Sequence, residues 1–466
     1  MIRVFKHYMP ASLLVLGIME TAVLFLSIYA GVATWFWKDE GGIPRAGLLG
    51  MVLPRAFTFA VAMLAIMVAM GLYQREYQPR VWHYGRIAVS FIVGLAAMSL
   101  IFYAVPRLFV GRVAFGIAYI IAFASIVAVR SVYLSLGEIG NNKRRILVLG
   151  TGTRAAKIDA LERSGNGQQG FRVVGYLPLR GGHHFVTKDK VLAEEGSLCA
   201  IAKKHEIDEI VVGVRDRRGG GLPIDDVLMC KLNGIDVIDL PSFFERETGH
   251  VYLQSLNPSW MIFSDGFPRG PFTDSIKRTF DIMVSVVLLA ISLPVMLLTA
   301  VLIKLDSRGP VLYRQERVGQ GGAPFNVLKF RSMRADAEKD GKPRWAMEND
   351  DRITRVGRVI RKLRIDELPQ IFNVLKGDMS FVGPRPERPY FVEQLSRQIP
   401  FFMCRHNVKP GITGWAQIRC SYGASVEDAI EKLQYDLYYV KNHSLFLDIV
   451  VILQTVQVIV FGKGSR

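Results

Sequence analysis

The sequence predicts a membrane protein in three parts. These are a four-helix N-terminal transmembrane bundle over residues 1–135, a middle Rossmann-like α/β domain over 143–265, and a C-terminal α/β domain over 270–466 with a re-entrant membrane helix at 280–305. Three observations lead there. The first 130 residues hold four long apolar runs, a strand-turn-helix pattern with paired glycines follows at 146–155, and a further apolar run begins after Lys277-Arg278. A length of 466 residues allows about two to four domains. Half of the chain is apolar, yet 21% is charged. That mixture fits neither a pure transporter nor an ordinary soluble enzyme; it fits a membrane anchor fused to soluble parts.

The four runs lie at roughly 11–36, 48–72, 87–106 and 113–130. Each is near the ~20 residues a helix needs to cross the hydrocarbon core. Arg3 and Lys6 precede the first run as in a signal peptide, but that run is too long for a cleaved leader and has no small-residue cleavage site. With the N-terminus inside, the inner segments hold Arg3, Lys6, Arg75, Arg80, Arg86, Arg130, Lys143, Arg144 and Arg145. The outer ones hold Lys38, Arg45, Arg107 and Arg112, with Arg55 just inside the second run. The bias places the N-terminus and everything after residue 130 in the cytoplasm. Glu20 lies within the first run and is either a functional intramembrane group or an interhelical contact.

From Arg145 the pattern changes. Ile146-Leu147-Val148-Leu149 reads as a buried strand, and Gly150-Thr151-Gly152-Thr153-Arg154-Ala155 as the turn into a helix. Gly150 and Gly152 there would let a backbone approach a pyrophosphate at a helix N-terminus. Strands are expected at 172–177, 209–214 and 235–240, alternating with helices in a parallel sheet. The second strand ends in Leu177-Pro178, with no acid placed to hold a ribose, and residues 145–265 contain no Tyr-x-x-x-Lys pair. A structural or regulatory role fits this domain better than catalysis.

The apolar run from Phe280 to Leu305 is long enough to cross, but a simple crossing would put the two charged domains on opposite sides. Pro294 lies mid-run, removes a donor and is expected to break the helix. Lys277, Arg278, Lys304 and Arg308 flank both ends, so a helix-break-helix that leaves on its side of entry reconciles the topology. The last run, Leu445 to Phe461, carries Asp448, Gln454 and Gln457 and reads as an interfacial or packed helix.

Residues 310–443 concentrate charge and glycine or proline punctuation. They include Lys329-Phe330-Arg331-Ser332-Met333, Asp351-Arg352-Ile353-Thr354-Arg355 with Arg361 behind, Asp366-Glu367-Leu368-Pro369-Gln370, Val382-Gly383-Pro384-Arg385-Pro386-Glu387 and Pro410-Gly411-Ile412-Thr413-Gly414-Trp415-Ala416-Gln417. Carboxylates among many cations suit phosphoryl transfer: Arg and Lys neutralise phosphoryl oxygens, and a carboxylate holds a metal or attacks phosphorus. No Walker loop, kinase loop or Ser-His-Asp arrangement is present. A net charge of +17 fits phosphorylated or lipid partners as well as nucleic acid, and so does not choose between them.

The order of these motifs closely resembles that of the bacterial sugar transferases, the polyprenyl-phosphate phosphoglycosyl transferases with one re-entrant catalytic domain. The likeness covers about residues 270–466, and the long form of that family shares the three-part layout. The resemblance implies that Asp366 attacks the sugar-bearing phosphorus of a UDP-sugar and that Glu367 helps hold Mg²⁺. It implies phosphate-holding roles for Lys329, Arg331, Arg361 and Arg385. Undecaprenyl phosphate would then take the sugar phosphate, which begins a surface polysaccharide. Glucose or galactose is the expected sugar. Ser292 stands one residue further from Pro294 than in the Ser-Pro break of small members. The implied partners are the UDP-sugar, the polyprenyl phosphate and the bilayer, with no nucleic acid, and the layout is compatible with a homodimer. The alternatives are a membrane-anchored sugar-nucleotide epimerase or dehydratase and a non-enzymatic assembly scaffold. The four cysteines, Cys199, Cys230, Cys404 and Cys420, are scattered and form no Cys-x-x-Cys, so they are expected to be separate reduced thiols.

Overall fold

All four N-terminal runs form helices in the computed structural model: α1 (Ala11–Asp39), α2 (Ala46–Ala69), α3 (Arg80–Ala104) and α4 (Arg112–Ile139). The structure describes residues 2–460 except 5–6, 40–45, 74–79, 140–142, 165–169, 180–184, 193–195, 215–221, 257–265, 268–269, 335–351, 421–422 and 424. The side chains of Arg3, Lys38 and Arg80, and Lys6, Arg45, Arg75 and Asp351 altogether, therefore lie outside the described residues. The chain forms two compact units, Met1–Ser131 with Asp265–Arg466, and Val132–Ser264.

In the first unit the four helices share one apolar core, to which Leu24 and Ile28, Phe59 and Met63, Ile87 and Phe91, and Ala118 and Ile126 contribute in turn. Their outer faces are apolar as well: Ile18, Phe57, Ile92 and Ile120 are all more than half exposed. Apolar residues on both faces mark helices that sit in hydrocarbon. Five described helices are long and apolar enough to cross a membrane, these four and α9 below. Short strands β1 (Ile2–Val4) and β2 (His7–Met9) precede α1.

Glu20 turns out to be an interhelical contact. It is wholly buried and paired with Arg130 of α4, through Nε at 2.6 Å and Nη2 at 2.8 Å. Tyr73 also donates to the carboxylate, and Arg130 Nη1 donates to the Leu72 carbonyl at 2.9 Å and meets His83 Nε2 at 3.1 Å. The guanidinium thus serves several partners that would otherwise be stranded away from water.

The second unit is a parallel α/β sheet. Its elements are β3 (Arg144–Leu149), α5 (Thr153–Ser164), β4 (Phe171–Leu177), α6 (Leu198–Lys204), β5 (Glu209–Val212), α7 (Ile224–Leu232), β6 (Asp236–Asp239) and α8 (Leu240–Thr248). The strand order is β4-β3-β5-β6, all parallel. Ile146 to Leu149 form a continuous buried run because helices cover both faces of the central strand. The third and fourth strands are shorter than the apolar runs suggest. Gly213 and Val214 fall outside β5, and Asp239 ends β6 by accepting from Ser242 N at 3.1 Å, which makes Leu240 the start of a helix.

The rest of the first unit begins with α9 (Pro271–Asp306), then β7 (Leu312–Val318) and β8 (Pro324–Phe330), an antiparallel ribbon. It continues with α10 (Arg355–Lys362), α11 (Gln370–Lys376), β9 (Ser380–Val382), α12 (Pro389–Gln398), β10 (Gly411–Thr413), α13 (Trp415–Arg419), α14 (Val426–Asn442) and α15 (Leu445–Val460). The expected α/β character reduces here to two separate two-stranded sheets, with β9 parallel to β10. Pro384 follows β9 after Gly383, and Pro410 immediately precedes β10, so one end of each short strand is limited by a proline.

The expected helix break at Pro294 does not interrupt α9, whose helical path runs unbroken from Pro271 to Asp306. Proline fixes a helical φ and costs one donor, so it can bend a helix without ending it. Helix α9 is inside out: Ile291, Leu297 and Leu305 are exposed, while Asp281, Ser285, Ser292 and Thr299 are buried. Its start is held where Arg278 donates to the carbonyls of Val374 at 2.5 Å and Leu375 at 2.7 Å. Just past its end, Arg331 donates to Ser307 O at 2.8 Å and Arg308 O at 2.9 Å. Lys277 Nζ sits between Asp281 at 3.0 Å and Asp448 of α15 at 2.8 Å. Asp281 also accepts from Phe381 N at 3.1 Å, and Tyr439 donates to Asp448 and to the Val382 carbonyl.

Arg130→Ala leaves the Glu20 carboxylate buried without its cation, and a loss on the order of 3–5 kcal/mol is expected. The double variant Glu20→Gln/Arg130→Met removes both charges and is expected to lose much less. Thermal unfolding of the full chain in detergent micelles compares the two.

Candidate functional site

Asp366 and Glu367 lie on a short 3-10 turn, Ile365–Glu367, between α10 and α11. Arg364 precedes it with φ 57°, a left-handed conformation that a non-glycine residue adopts at some cost. The reversal ends the helix and brings Glu367 to Lys329 of the β7-β8 ribbon. Asn373 of α11 fixes that packing: its side chain accepts from Leu328 N at 2.9 Å and donates to Asn326 O at 2.7 Å.

The two acids differ in surroundings. Glu367 Oε1 accepts from Lys329 Nζ at 3.2 Å and from Arg385 Nη2 at 2.6 Å, and Oε2 from Arg385 Nη1 at 3.4 Å. Burial by itself pushes the Glu367 carboxyl up, but Arg385, Lys329 and Arg364 outweigh it and hold the group well below the usual carboxylate range. Burial pushes the neighbouring Asp366 carboxyl up to about 6, and the Glu367 charge adds to that; Lys329, Arg361 and Arg385 oppose it. Burial also lowers the Lys329 ammonium, with Glu367 opposing. One acid is therefore held as an anion by its two cations, while its half-buried neighbour has its carboxyl raised.

The predicted residues do not all converge. Asp366, Glu367, Lys329 and Arg385 meet in one cluster, and Arg361 of α10 is near enough for its charge to act on Asp366. Arg331 does not join them. It is 5% exposed, and its guanidinium is taken up by Ser307 O, Ser307 Oγ and Arg308 O. It lies one residue past the end of β8, where the strand no longer holds it on the Lys329 face, so it anchors α9 instead of facing a phosphate. Pro294 lies inside α9, and Gly150 and Gly152 belong to the other unit. There Gly150 has φ 108° in the turn between β3 and α5, and the Thr151 carbonyl is already occupied by Phe185 N at 2.8 Å.

Residues without a role in the sequence analysis support the cluster. Arg405 donates to the Arg385 carbonyl at 3.0 Å and pairs with buried Asp436 at 2.7 Å. Arg317 donates to the Pro386 carbonyl at 3.1 Å and pairs with Glu387 at 3.5 Å. An arginine that acts through a backbone carbonyl leaves no local signal in a sequence. Gly383, Gly411 and Gly414 are packing positions: a Cβ on any of them would run into backbone of the facing β9-β10 segment. That close approach explains the glycines of the two Pro-Gly motifs and sets the path of the chain into Arg385.

Among the described residues no group of three or more His, Cys, Asp or Glu side chains could hold a metal ion. Asp366 and Glu367 offer two carboxylates, and Glu367 is already shared by two cations. That donor set suits a hard cation that arrives with phosphate oxygens and keeps its waters, and it does not form a closed protein cage.

The family model described as bacterial sugar transferase matches residues 272–462. Over 291 residues the chain is 45% identical to a UDP-N-acetylgalactosamine-undecaprenyl-phosphate N-acetylgalactosaminephosphotransferase of Aeromonas hydrophila, covering 62% of this chain and 66% of that protein. It is 35% identical to an undecaprenyl-phosphate glucose phosphotransferase of Komagataeibacter xylinus, covering 69% of this chain and 60% of the relative. It is 43% identical to a UDP-glucose:undecaprenyl-phosphate glucose-1-phosphate transferase of Caulobacter vibrioides, covering 41% of this chain and 73% of the relative. The first two matches thus span just under two thirds of those relatives' lengths.

Arg331→Ala removes bonds at the end of α9 and is expected to lower the melting temperature by several degrees, each bond to a guanidinium contributing about 1.5–3 kcal/mol. Arg385→Ala, at a half-exposed side chain, is expected to lower it less. Thermal denaturation of the two variants checks the order.

Proposed function

Because this chain belongs to the bacterial sugar transferase family, we propose that it moves a sugar 1-phosphate from a UDP-sugar to undecaprenyl phosphate at the cytoplasmic face of a bacterial inner membrane. The observation that carries the reading is the Asp366-Glu367 pair, in which Glu367 is clamped by Lys329 and Arg385 and Asp366 is not. An Asp366 oxygen attacks the sugar-bearing phosphorus, the phosphoanhydride bond breaks, and UMP leaves. A phosphate oxygen of the lipid then attacks the same phosphorus and releases the Asp366 carboxylate. The product is a polyprenyl diphosphosugar, and the covalent intermediate splits one displacement into two. Lys329, Arg361 and Arg385 supply positive charge for the phosphoryl oxygens, and Arg405 and Arg317 hold the Arg385 segment in place.

Mg²⁺ is proposed with Glu367 as its protein ligand, and it would offset charge repulsion between carboxylate and diphosphate. For Glu367 to ligate, one of its two bonded cations must turn to the phosphates. The named donors of the relatives differ, N-acetylgalactosamine in one and glucose in two. The proposed donor class is therefore a UDP-hexose or its N-acetylamino form, wider than the expected glucose or galactose.

The re-entrant path of α9 is part of the same proposal. A straight helix from Arg278 to Ser307 would hold them about 44 Å apart. Yet Arg278 bonds to α11, and Ser307 bonds to Arg331, three residues from the point where α11 clips onto β8 through Asn373. Those three residues span about 10 Å of strand. A helix bent back near Pro294 accommodates both anchors. The N-terminus belongs on the same side, since His7 bonds the Tyr438 hydroxyl at 2.8 Å and stands edge-on to Trp415.

Two measurements test the proposal. Membranes holding the full chain are incubated with labelled UDP-sugars, Mg²⁺ and undecaprenyl phosphate. UMP release and label in lipid are expected for one of the sugars, and Asp366→Asn is expected to abolish both; normal turnover by that variant overturns the reading. For topology, Ser275→Cys and Arg308→Cys are both expected to react with a membrane-impermeant maleimide added from the cytoplasmic side. Labelling of Arg308→Cys only from the opposite side refutes the re-entrant path.

A further inference from the structure

The second unit contains a pair of groups that no part of the proposed transfer uses. Cys199, near the start of α6, and Cys230, near the end of α7, are 31 residues apart in sequence, and their Sγ atoms are 2.8 Å apart. They are the one exception to the expectation of four separate thiols; neither Cys404 nor Cys420 has a sulfur neighbour among the described residues. Helices α6 and α7 pack side by side over one face of the sheet, in the cluster that also holds Leu147, Ile210 and Ile235. The pairing is therefore set by the fold and not by chance meeting of loops. A disulfide bond of 2.03–2.05 Å needs the sulfurs to close by only about 0.8 Å.

We propose that Cys199 and Cys230 are a redox-responsive thiol pair, which a hydroperoxide converts to a disulfide that staples α6 to α7. The two sulfurs differ in a way that orders the steps. Cys230 is fully buried, and burial together with the Cys199 thiol pushes its thiol up to about 12. Cys199 is only half-buried and is the sulfur a small oxidant meets first. Its thiol is oxidised to a sulfenic acid while the peroxide is reduced to water. The Cys230 sulfur then attacks the sulfenic sulfur, the S–S bond forms, and hydroxide leaves and takes up the thiol proton as a second water. Two thiols have then lost two electrons and two protons to one hydroperoxide, here hydrogen peroxide. The bond closes a loop of the chain that contains β5, and so fixes one half of the sheet to the helices above it. The site lies in the unit without Asp366, and its chemistry stands or falls independently of the sugar-phosphate transfer.

The full chain in detergent micelles is reduced, desalted, titrated with hydrogen peroxide, quenched with an alkylating reagent in denaturant that exposes buried Cys230, and mapped by mass spectrometry without reduction. The expected result is a cross-linked peptide pair holding Cys199 and Cys230, loss of both thiols from the alkylated pool together, and their full return on addition of dithiothreitol. Cys230→Ser is expected to abolish the cross-link and leave Cys199 as a sulfenic acid that dimedone traps. The proposal is overturned if Cys199 and Cys230 stay alkylatable while Cys404 and Cys420 oxidise. It is also overturned if Cys199 oxidises at the same rate in the Cys230→Ser variant but passes to the sulfinic acid in the parent chain. A cross-link between the Cys199 residues of two chains would overturn it as well.

Discussion

Lys277 is the contact on which the first unit depends. Its ammonium lies between Asp281 on its own helix and Asp448 on α15, and the same two carboxylates reach Phe381 and Tyr439. Two buried acids around one cation leave an excess of negative charge, which the Phe381 amide and the Tyr439 hydroxyl help to satisfy. The network ties the membrane helix, the last apolar helix and strand β9 together at one point. Strand β9 runs directly into Gly383-Pro384-Arg385, so the position of the guanidinium that clamps Glu367 is set beside the start of α9.

The same solution recurs at four other buried carboxylates. Glu20 takes Arg130, Asp436 takes Arg405, Glu209 takes Arg144 and Arg246, and Glu367 takes Lys329 and Arg385. Most of these cations are arginines, whose planar fork serves a carboxylate and a carbonyl together without losing its charge. In the bundle and the sheet the pairs join distant segments. At Glu367 the pair does more: it fixes one acid of an adjacent two as an anion, and the charge of that anion helps to raise the other. The difference between Asp366 and Glu367 comes from their neighbours and not from their sequence positions.

Much of the architecture was legible in the sequence because it depends on local periodicity. Long apolar runs become helices whatever their partners, since the backbone has no other way to satisfy its polar groups in hydrocarbon. The strand at 146–149 was visible because a buried central strand is apolar on both faces, and the one at 172–177 because an edge strand still buries alternate apolar residues. Element ends were less legible. Asp239 caps a helix where the apolar pattern continued the strand, and Pro294 remains inside a helix that the pattern would have broken. At Asp239 one side-chain hydrogen bond decided the outcome, at Pro294 the loss of one donor did not suffice to end the helix, and hydrophobic pattern records neither.

The sequence by itself determined the residue types of the site, their order and the glycines that let β9 and β10 approach. These are properties of motifs, and motifs are linear. Tertiary structure alone decided which charges face one another. Arg331 stands two residues from Lys329 yet holds the end of α9, whereas Arg405 and Asp436, separated by 31 positions, support Arg385 from behind. Cys199 and Cys230 were likewise scattered thiols until two helices packed side by side. Long side chains reach across elements, and the partner they find depends on how the helices and strands pack, which a local pattern does not encode.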